Sequence, residues 1–529
     1  MKQLLFLTLL LSMGQLSAQT YADDIAALFF DKCTSCHHAG GIGPFSLMSY
    51  TDASIRLPAI QNAVTTKRMP PWSPDNSYSQ FAHDRSLTQA QITLIDNWIN
   101  AGAPQGNPSN TPPAPIYDPN NWVLGQPDLS IKMPDYVSKA TTSNDDYICI
   151  SIPTNLAAGR TIQAIEVIPG NSAVVHHALI HIDAAGTYAT DTTSHACGGP
   201  TSLPLIAGYA PGSDPAQFPN TSNFKLGINL PANSHIVFAM HYPAGSQGIL
   251  DSTRLNIHFY PQGTAGVREV SANPILNSYN FTINANTVDE VEDWFPTANF
   301  PVNSDFSLFS IFPHAHLIGK SFIVYGVNHF PPYDTIPLIH VPEWDFEWQG
   351  FYVFEYMKKL PAGYKLYGKA VYDNTTNNPF NPNNPPQNIS AGLNTSDEMF
   401  LIYFQYLNYQ QGDETINIDS LLQAQNTVYT NNRPLAVHEN GLFLTAYPNP
   451  SSELTTIHYY LDKEEEVQLM VYDAQGRVVR QLALERQTQG QHLYQWDGRQ
   501  QTGQSVPAGI YSIQLRAGEK IVHKKIIRQ

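Results

Sequence analysis

Charge is scarce in this sequence. Asp, Glu, Lys and Arg make up 14% of its 529 residues, where a typical soluble chain carries about 25%. What charge there is leans acidic, at net −16, with no basic run. That excludes the electrostatic footprint of a nucleic-acid binder. Beyond the first twenty residues there is no apolar stretch of about 18 residues, so no transmembrane segment is expected. Cysteine is nearly absent. Cys33, Cys36, Cys149 and Cys197 are the whole set, and the first pair has no second CxxC to complete a zinc site.

Proline is abundant instead, with 40 residues against a usual share of about 5%, which favours turn-rich β structure. A chain this long is expected to hold three or four domains. The start, MKQLLFLTLLLSMGQLSAQT, has Lys2, an apolar run and then small residues up to Ala18, the layout of a secretory signal peptide over 1–18. Residues 21–104 read as helical: ADDIAALFFDKC has apolar positions at helical spacing, and SLTQAQITLIDNWINAGAP has Ser86 as candidate cap and stops at Gly102 before Pro104. A Pro- and Asn-rich linker over 105–121 follows. From Trp122 to about 430 the pattern changes to short alternating runs such as TIQAIEVI, SHIVFAMHY and KLYGKAVYD, separated by Pro, Gly and Asn. This is β-sandwich patterning, long enough for two sandwiches, at 122–272 and 273–430. A last set of strands over 445–529 predicts a small separate sandwich.

CTSCH at 33–37 matches the attachment site of c-type cytochromes, with Cys33 and Cys36 as thioether anchors and His37 as the axial ligand. Its neighbour His38 is expected to be solvated. Met69, in the proline-stiffened RMPPW, is the candidate sixth ligand. The segment resembles a short single-haem cytochrome c domain.

Histidines cluster further on. VVHHALIHI holds His176, His177 and His181, FAMHYP holds His241, and FPHAHLIGK holds His314 and His316; Met399 follows in TSDEM. In a regular strand His176 and His177 face opposite sides, so joint ligation requires twist, a bulge or a choice of ring nitrogen; His177 and His181 share a face and form a rival pair. His314 and His316 share a face if their segment is extended. The ordered set HHALIH, AMHYP, HAHLIGK, SDEM, with Tyr403 four residues after the Met, resembles the copper type II ascorbate-dependent monooxygenases, the peptidylglycine and dopamine hydroxylase family, over roughly residues 122–410.

That resemblance implies a mainly β fold of two tandem jelly-roll-like sandwiches facing each other across a solvent-filled cleft, preceded by the small helical haem domain and followed by a small Ig-like sandwich. It implies two copper ions, one held by His176, His177 and His241 to supply an electron, the other by His314, His316 and Met399 to meet O₂. It also implies a disulfide between Cys149 and Cys197 bracketing the paired histidines. Imidazole suits both copper oxidation states, and a thioether softens a site towards Cu(I). The amidating relatives place an Arg two residues before the first His of HxH and an Asn two after the Met. Phe312 and Leu401 stand there in this chain, so a less polar organic substrate than a peptide carboxylate is expected. A polar residue near the first copper is replaced by Ala239. The aromatic and acidic stretch PEWDFEWQGFY at 342–352 is either a lining of the cleft or, as such clusters more often are, sandwich core with an exposed edge, and His181, His235, His258, His329 and His340 are given no role.

The tail, with AYPNP, YDAQGRVV, VPAGIY and HKKIIRQ, resembles the sorting domain of the type IX secretion system, which places the protein outside the cell or on its outer surface, reached through the periplasm, with that machinery as a partner. The expectation is a secreted monooxygenase using O₂, electrons entering through a fused haem c from an ascorbate-like reductant or a redox protein. The alternative is a haem and copper electron-transfer or copper-binding surface protein without hydroxylase activity.

Overall fold

In a computed structural model of the chain, residues 19–117, 122–195, 197, 203–296, 299–432 and most of 443–528 are described. The proposed signal peptide lies outside them. They form two compact units: one holds residues up to Pro74 together with His83–Tyr117, the other Asp75–Ala82 with everything after Asp118. No helix among the described residues is long and apolar enough to cross a membrane.

The first unit is helical, with segments Tyr21–Ile25, Ala26–Lys32, Tyr50–Ser54, Leu57–Thr65 and Gln89–Asn100. Tyr21, Ile25, Phe29, Ile95 and Trp98 form its buried centre. The last helix is capped by Thr88, not Ser86: the Thr88 hydroxyl accepts from the Gln91 N–H while the Gln91 side chain accepts from the Thr88 N–H, which satisfies two donors the helix leaves open. The Pro- and Asn-rich stretch is no free linker as far as Tyr117. Gln105 accepts from the Ala22 N–H, Asn110 donates to Asp23, and Tyr117 stacks on His38 at 3.8 Å.

The second unit is mainly β. Strands Asp146–Pro153, His235–Tyr242, His177–Asp183 and Leu205–Tyr209 pair in that order, facing a six-stranded sheet that includes Arg160–Ile168 and Arg254–Phe259. Side chains alternate across a strand, so one register row, Ile148–Met240–Ala178, enters the core between these sheets, while the rows Tyr147–His241–His177 and Cys149–Ala239–Leu179 face the other way. Each core Ile or Phe here contributes roughly 1.5–3 kcal/mol. Because both faces are covered, the His235–Tyr242 strand is buried along nearly its whole length.

A second pair of four-stranded sheets follows. Ser271–Ser278, Phe400–Asn408, Phe306–His314 and Tyr352–Leu360 pair in that order, and Val288–Phe295, Tyr364–Asp373, Gly319–Asn328 and Thr335–Val341 form the opposing layer. A Cβ on Gly368 would lie 2.7 Å from the Ile402 side chain and 2.9 Å from that of Leu276, so any larger residue there would have to push these two side chains aside. Phe309, Met357 and Leu407 join the same apolar cluster as Phe218 of the first pair of sheets. Arg268 adds a bidentate ion pair to Asp413 at 2.6 and 2.8 Å.

Residues 75–82 belong to this β unit. The Asp75 N–H donates to His340 O, Ala82 N–H to Val353 O and Glu355 N–H to Gln80 O, and Phe81 stacks on Phe354 at 5.3 Å. They clasp the end of the Thr335–Val341 strand and the start of Tyr352–Leu360, the two stems of the loop 342–351. The C-terminal strands form a separate sandwich of three- and four-stranded sheets around Trp496, Tyr459 and Leu469.

Candidate functional site

His177 and His241 are directly opposed in register on neighbouring strands. His176 lies just before the strand, its N–H donating to His241 O, so strand alternation does not apply to it and both adjacent histidines turn to one side. The Nδ1 atom of His177 is 3.2 Å from Nδ1 of His176 and 3.2 Å from Nδ1 of His241, and the three rings offer one donor each within 4.8 Å of one another. Donors about 2.0 Å from one centre at near-tetrahedral angles are separated by about this distance, so the trio fits a metal ion. His241 Nε2 faces the Asp145 carboxylate at 3.3 Å, and Tyr147 stacks on the same ring at 4.2 Å. Asp145 also accepts from the Thr395 N–H at 2.7 Å. Burial opposes its ionisation, but His241 and Thr395 outweigh this and hold the carboxyl well below its ordinary range. His181 is elsewhere, buried with Nδ1 on Leu203 O, so the rival pair does not form.

In the second cluster the other ring nitrogens face inward. His314 Nδ1 is held by the Gln349 amide oxygen at 2.6 Å and His316 Nδ1 by Asp397 O at 3.1 Å, leaving both Nε2 atoms as donors. Met399 lines the same cavity as both rings. Two imidazoles and a thioether fit a soft metal ion. The organiser is Glu398, wholly buried. Its carboxyl accepts from the N–H groups of His316, Ile318 and Met399 at 2.8–3.1 Å. It ties the HxH turn to the Met segment.

Burial first, then mutual repulsion, lowers His176 to about 3 and takes His177 and His316 far below their ordinary value; His314 falls to about 4. The imidazoles therefore stay unprotonated, as ligation requires.

The clusters abut: the rings of His177 and His314 are 5.9 Å apart between centroids, so no wide cleft separates them. The loop 342–351 touches both. Phe346 stacks on His176 at 4.4 Å and stands edge-on to His316 at 6.0 Å, Gln349 holds His314, and the Trp344 indole donates to His316 O. Of the two readings of this stretch, sandwich core or site lining, the contacts favour the lining. A cavity of about 320 Å³ lies against both clusters, walled by Leu179, Phe312, Phe351, Leu401 and Tyr403 among others. Cys149 and Cys197 are joined by a disulfide, and Cys197 reaches the cavity wall.

In the helical unit, CTSCH forms the turn after Ala26–Lys32. His37 Nδ1 lies 3.0 Å from Phe45 O, leaving Nε2 as donor, and burial pushes the Cys33 thiol up to about 12. Two thiols and one oriented imidazole fit a covalently held haem. Met69 is 39% exposed. His38 is not solvated as expected: it lies under Tyr117, with Nδ1 on Thr34 O.

Residues 450–520 match the FlgD Ig-like domain. No curated protein matches the chain. Solved structures with some likeness include PorZ of Porphyromonas gingivalis, an essential bacterial surface component of its type IX secretion system (18% identity, 16% of this chain and 11% of that one, TM-score 0.13). Latent PorU of the same organism is similar at 10% identity over 73% and 34% (TM-score 0.15). A β-glucuronidase of Ruminococcus gnavus follows at 10% over 46% and 35% (TM-score 0.11). The chain thus spans about a third or less of each.

Proposed function

We propose that the chain is a secreted copper-dependent monooxygenase that hydroxylates a C–H bond of a small organic substrate, with a haem c unit as its electron entry. The observation that carries this is the pairing of two unlike donor sets beside one cavity: three converging imidazole Nδ1 atoms, with the His177 ring in the cavity wall, and two Nε2 atoms with a thioether in the same wall. His176, His177 and His241 would hold one copper, His314, His316 and Met399 the other, and Cys33, Cys36 and His37 the haem, with Met69 the proposed sixth ligand. When bound, these groups supply one-electron transfer and O₂ binding, for a net reaction of substrate, O₂, two electrons and two protons to alcohol and water.

The protein's own residues do the rest. Asp145 and Gln349 set which ring nitrogen faces inward, Glu398 fixes the HxH turn, Phe346 fills the space between the clusters, and the apolar wall with Tyr403 excludes water. The C-terminal sandwich, Ig-like by its family match, is proposed to be the sorting domain recognised by type IX secretion machinery, which supports an extracellular or outer-surface location.

Copper and haem analysis of the full chain with electron paramagnetic resonance tests the cofactors. Met399→Ala tests the activity: substrate-dependent O₂ uptake is expected to vanish while copper at the three-histidine site persists. Unchanged uptake would overturn the monooxygenase assignment in favour of an electron-transfer protein.

A further inference from the structure

Resting on that assignment, we infer that the cavity beside the histidine clusters takes a small, uncharged, apolar molecule, such as an alkylbenzene or short hydrocarbon, and rejects carboxylates and amines of the same size. Among the described residues lining it there is no Asp, Glu, Lys or Arg. At about 320 Å³ it sits at the lower end of ligand pockets, too small for a folded peptide segment or a polymer. Its wall is an apolar cluster in its own right, in which Leu205, Phe312, Leu401 and Tyr403 pack with Leu179 and Phe351. Phe312 lies nearly parallel to Tyr403 at 5.8 Å and tilts against Phe351 at 5.0 Å, so the wall is built largely of ring faces and edges.

The polar groups at the wall do not offer an ion partner. Both ends of the Gln349 amide are committed, its oxygen to His314 Nδ1 at 2.6 Å and its nitrogen to Phe346 O at 2.7 Å. Burial, with the neighbouring Tyr279, drives the Tyr403 phenol upward, so it stays neutral. An ion entering would lose its hydration and find no countercharge, whereas a hydrocarbon gains by leaving water.

The test uses the full-length chain stripped of copper, so that no probe binds through the metal, and compares ethylbenzene, phenylacetate and benzylamine by calorimetry. Ethylbenzene is expected to bind at least ten times more tightly than either ion. Leu179→Trp, which fills the cavity without adding charge, is expected to abolish that binding. Phe312→Arg is expected to reverse the preference towards phenylacetate by tenfold or more. Equal or tighter binding of either ion by the parent chain, or no ethylbenzene binding, would overturn the inference. A parallel copper titration separates the two claims. Copper bound at both clusters with ions preferred sinks the substrate class alone; ethylbenzene preferred with no copper bound sinks the monooxygenase assignment alone.

Discussion

The two histidine clusters are built from opposite ends of the imidazole ring. In the first, three Nδ1 atoms converge, and the ring of His241 is backed by the carboxylate of Asp145. In the second, both Nδ1 atoms are taken by neutral acceptors, the Gln349 amide and the Asp397 carbonyl, and the Nε2 atoms face in beside a thioether. A carboxylate behind a ligand raises its basicity, while a neutral acceptor mainly sets its orientation. The first cluster is thus the harder donor set and the second the softer, a difference that arises as much from the surroundings as from the ligands.

The largest change expected on breaking this contrast comes from Glu398. Glu398→Ala strips acceptors from the N–H groups of His316, Ile318 and Met399, and should cost roughly 3–9 kcal/mol at 1–3 for each buried orphan. Chemical denaturation would measure the loss, and copper spectra should show the second site emptied with the first retained. Reducing Cys149–Cys197, which closes a 48-residue separation beside the first cluster, should cost about 2–4 kcal/mol, read from the denaturation midpoint with and without reductant. Asp145→Asn should weaken copper at the first cluster by roughly 10- to 100-fold and leave the second nearly unchanged, measured by chelator competition. Gln349→Leu should do the converse more mildly, by about tenfold at the second site.

The smallest effect on the contrast belongs to Asp413, which touches neither cluster. Burial raises its carboxyl, but Arg268 and Ser307 outweigh burial and hold it below its ordinary value. Its ionised form therefore stabilises the fold fully above the unfolded value of about 3.9. That contribution is lost as the pH falls through the lower folded value. Denaturation between pH 5 and 2 should show this decline in the parent and a flatter profile in Asp413→Asn, with copper occupancy at neutral pH equal in both.

Much of the fold is legible in local pattern. Alternating runs between Pro, Gly and Asn mark the strands because half-buried strands need that period. Local spacing also picks out CTSCH, HH and HxH. The capping box T-x-x-Q at Thr88 is equally local, yet Ser86 is the residue the pattern draws the eye to; the reciprocal Gln91 decides. His176 and His177 stay ambiguous in the sequence because alternation assumes a strand already begun at 176, and it begins at 177. Asp145, Gln349 and Glu398 carry no spacing signal at all. Each matters through a partner 35 to 250 residues away or through backbone N–H groups whose direction only the folded turn sets. Phe346 and Trp344 read as core for the same reason: an aromatic run says that something will be covered, but not that histidines from two sheets will be underneath.

The clasp formed by residues 75–82 bears on how the protein can be taken apart. By pattern the chain divides after the helical segment, and a fragment beginning at the first strand would retain every histidine of the two clusters, Met399 and the disulfide. It would still lack the backbone that grips His340 and Val353 at the two stems of the 342–351 loop, so the loop carrying Phe346 and Gln349 would be held at those stems only by their sheet pairing. Modules recognised by sequence are here not the modules of action. A chain trimmed to the sandwiches is expected to hold this loop, and with it Gln349 against His314, more loosely than one that begins upstream of Asp75.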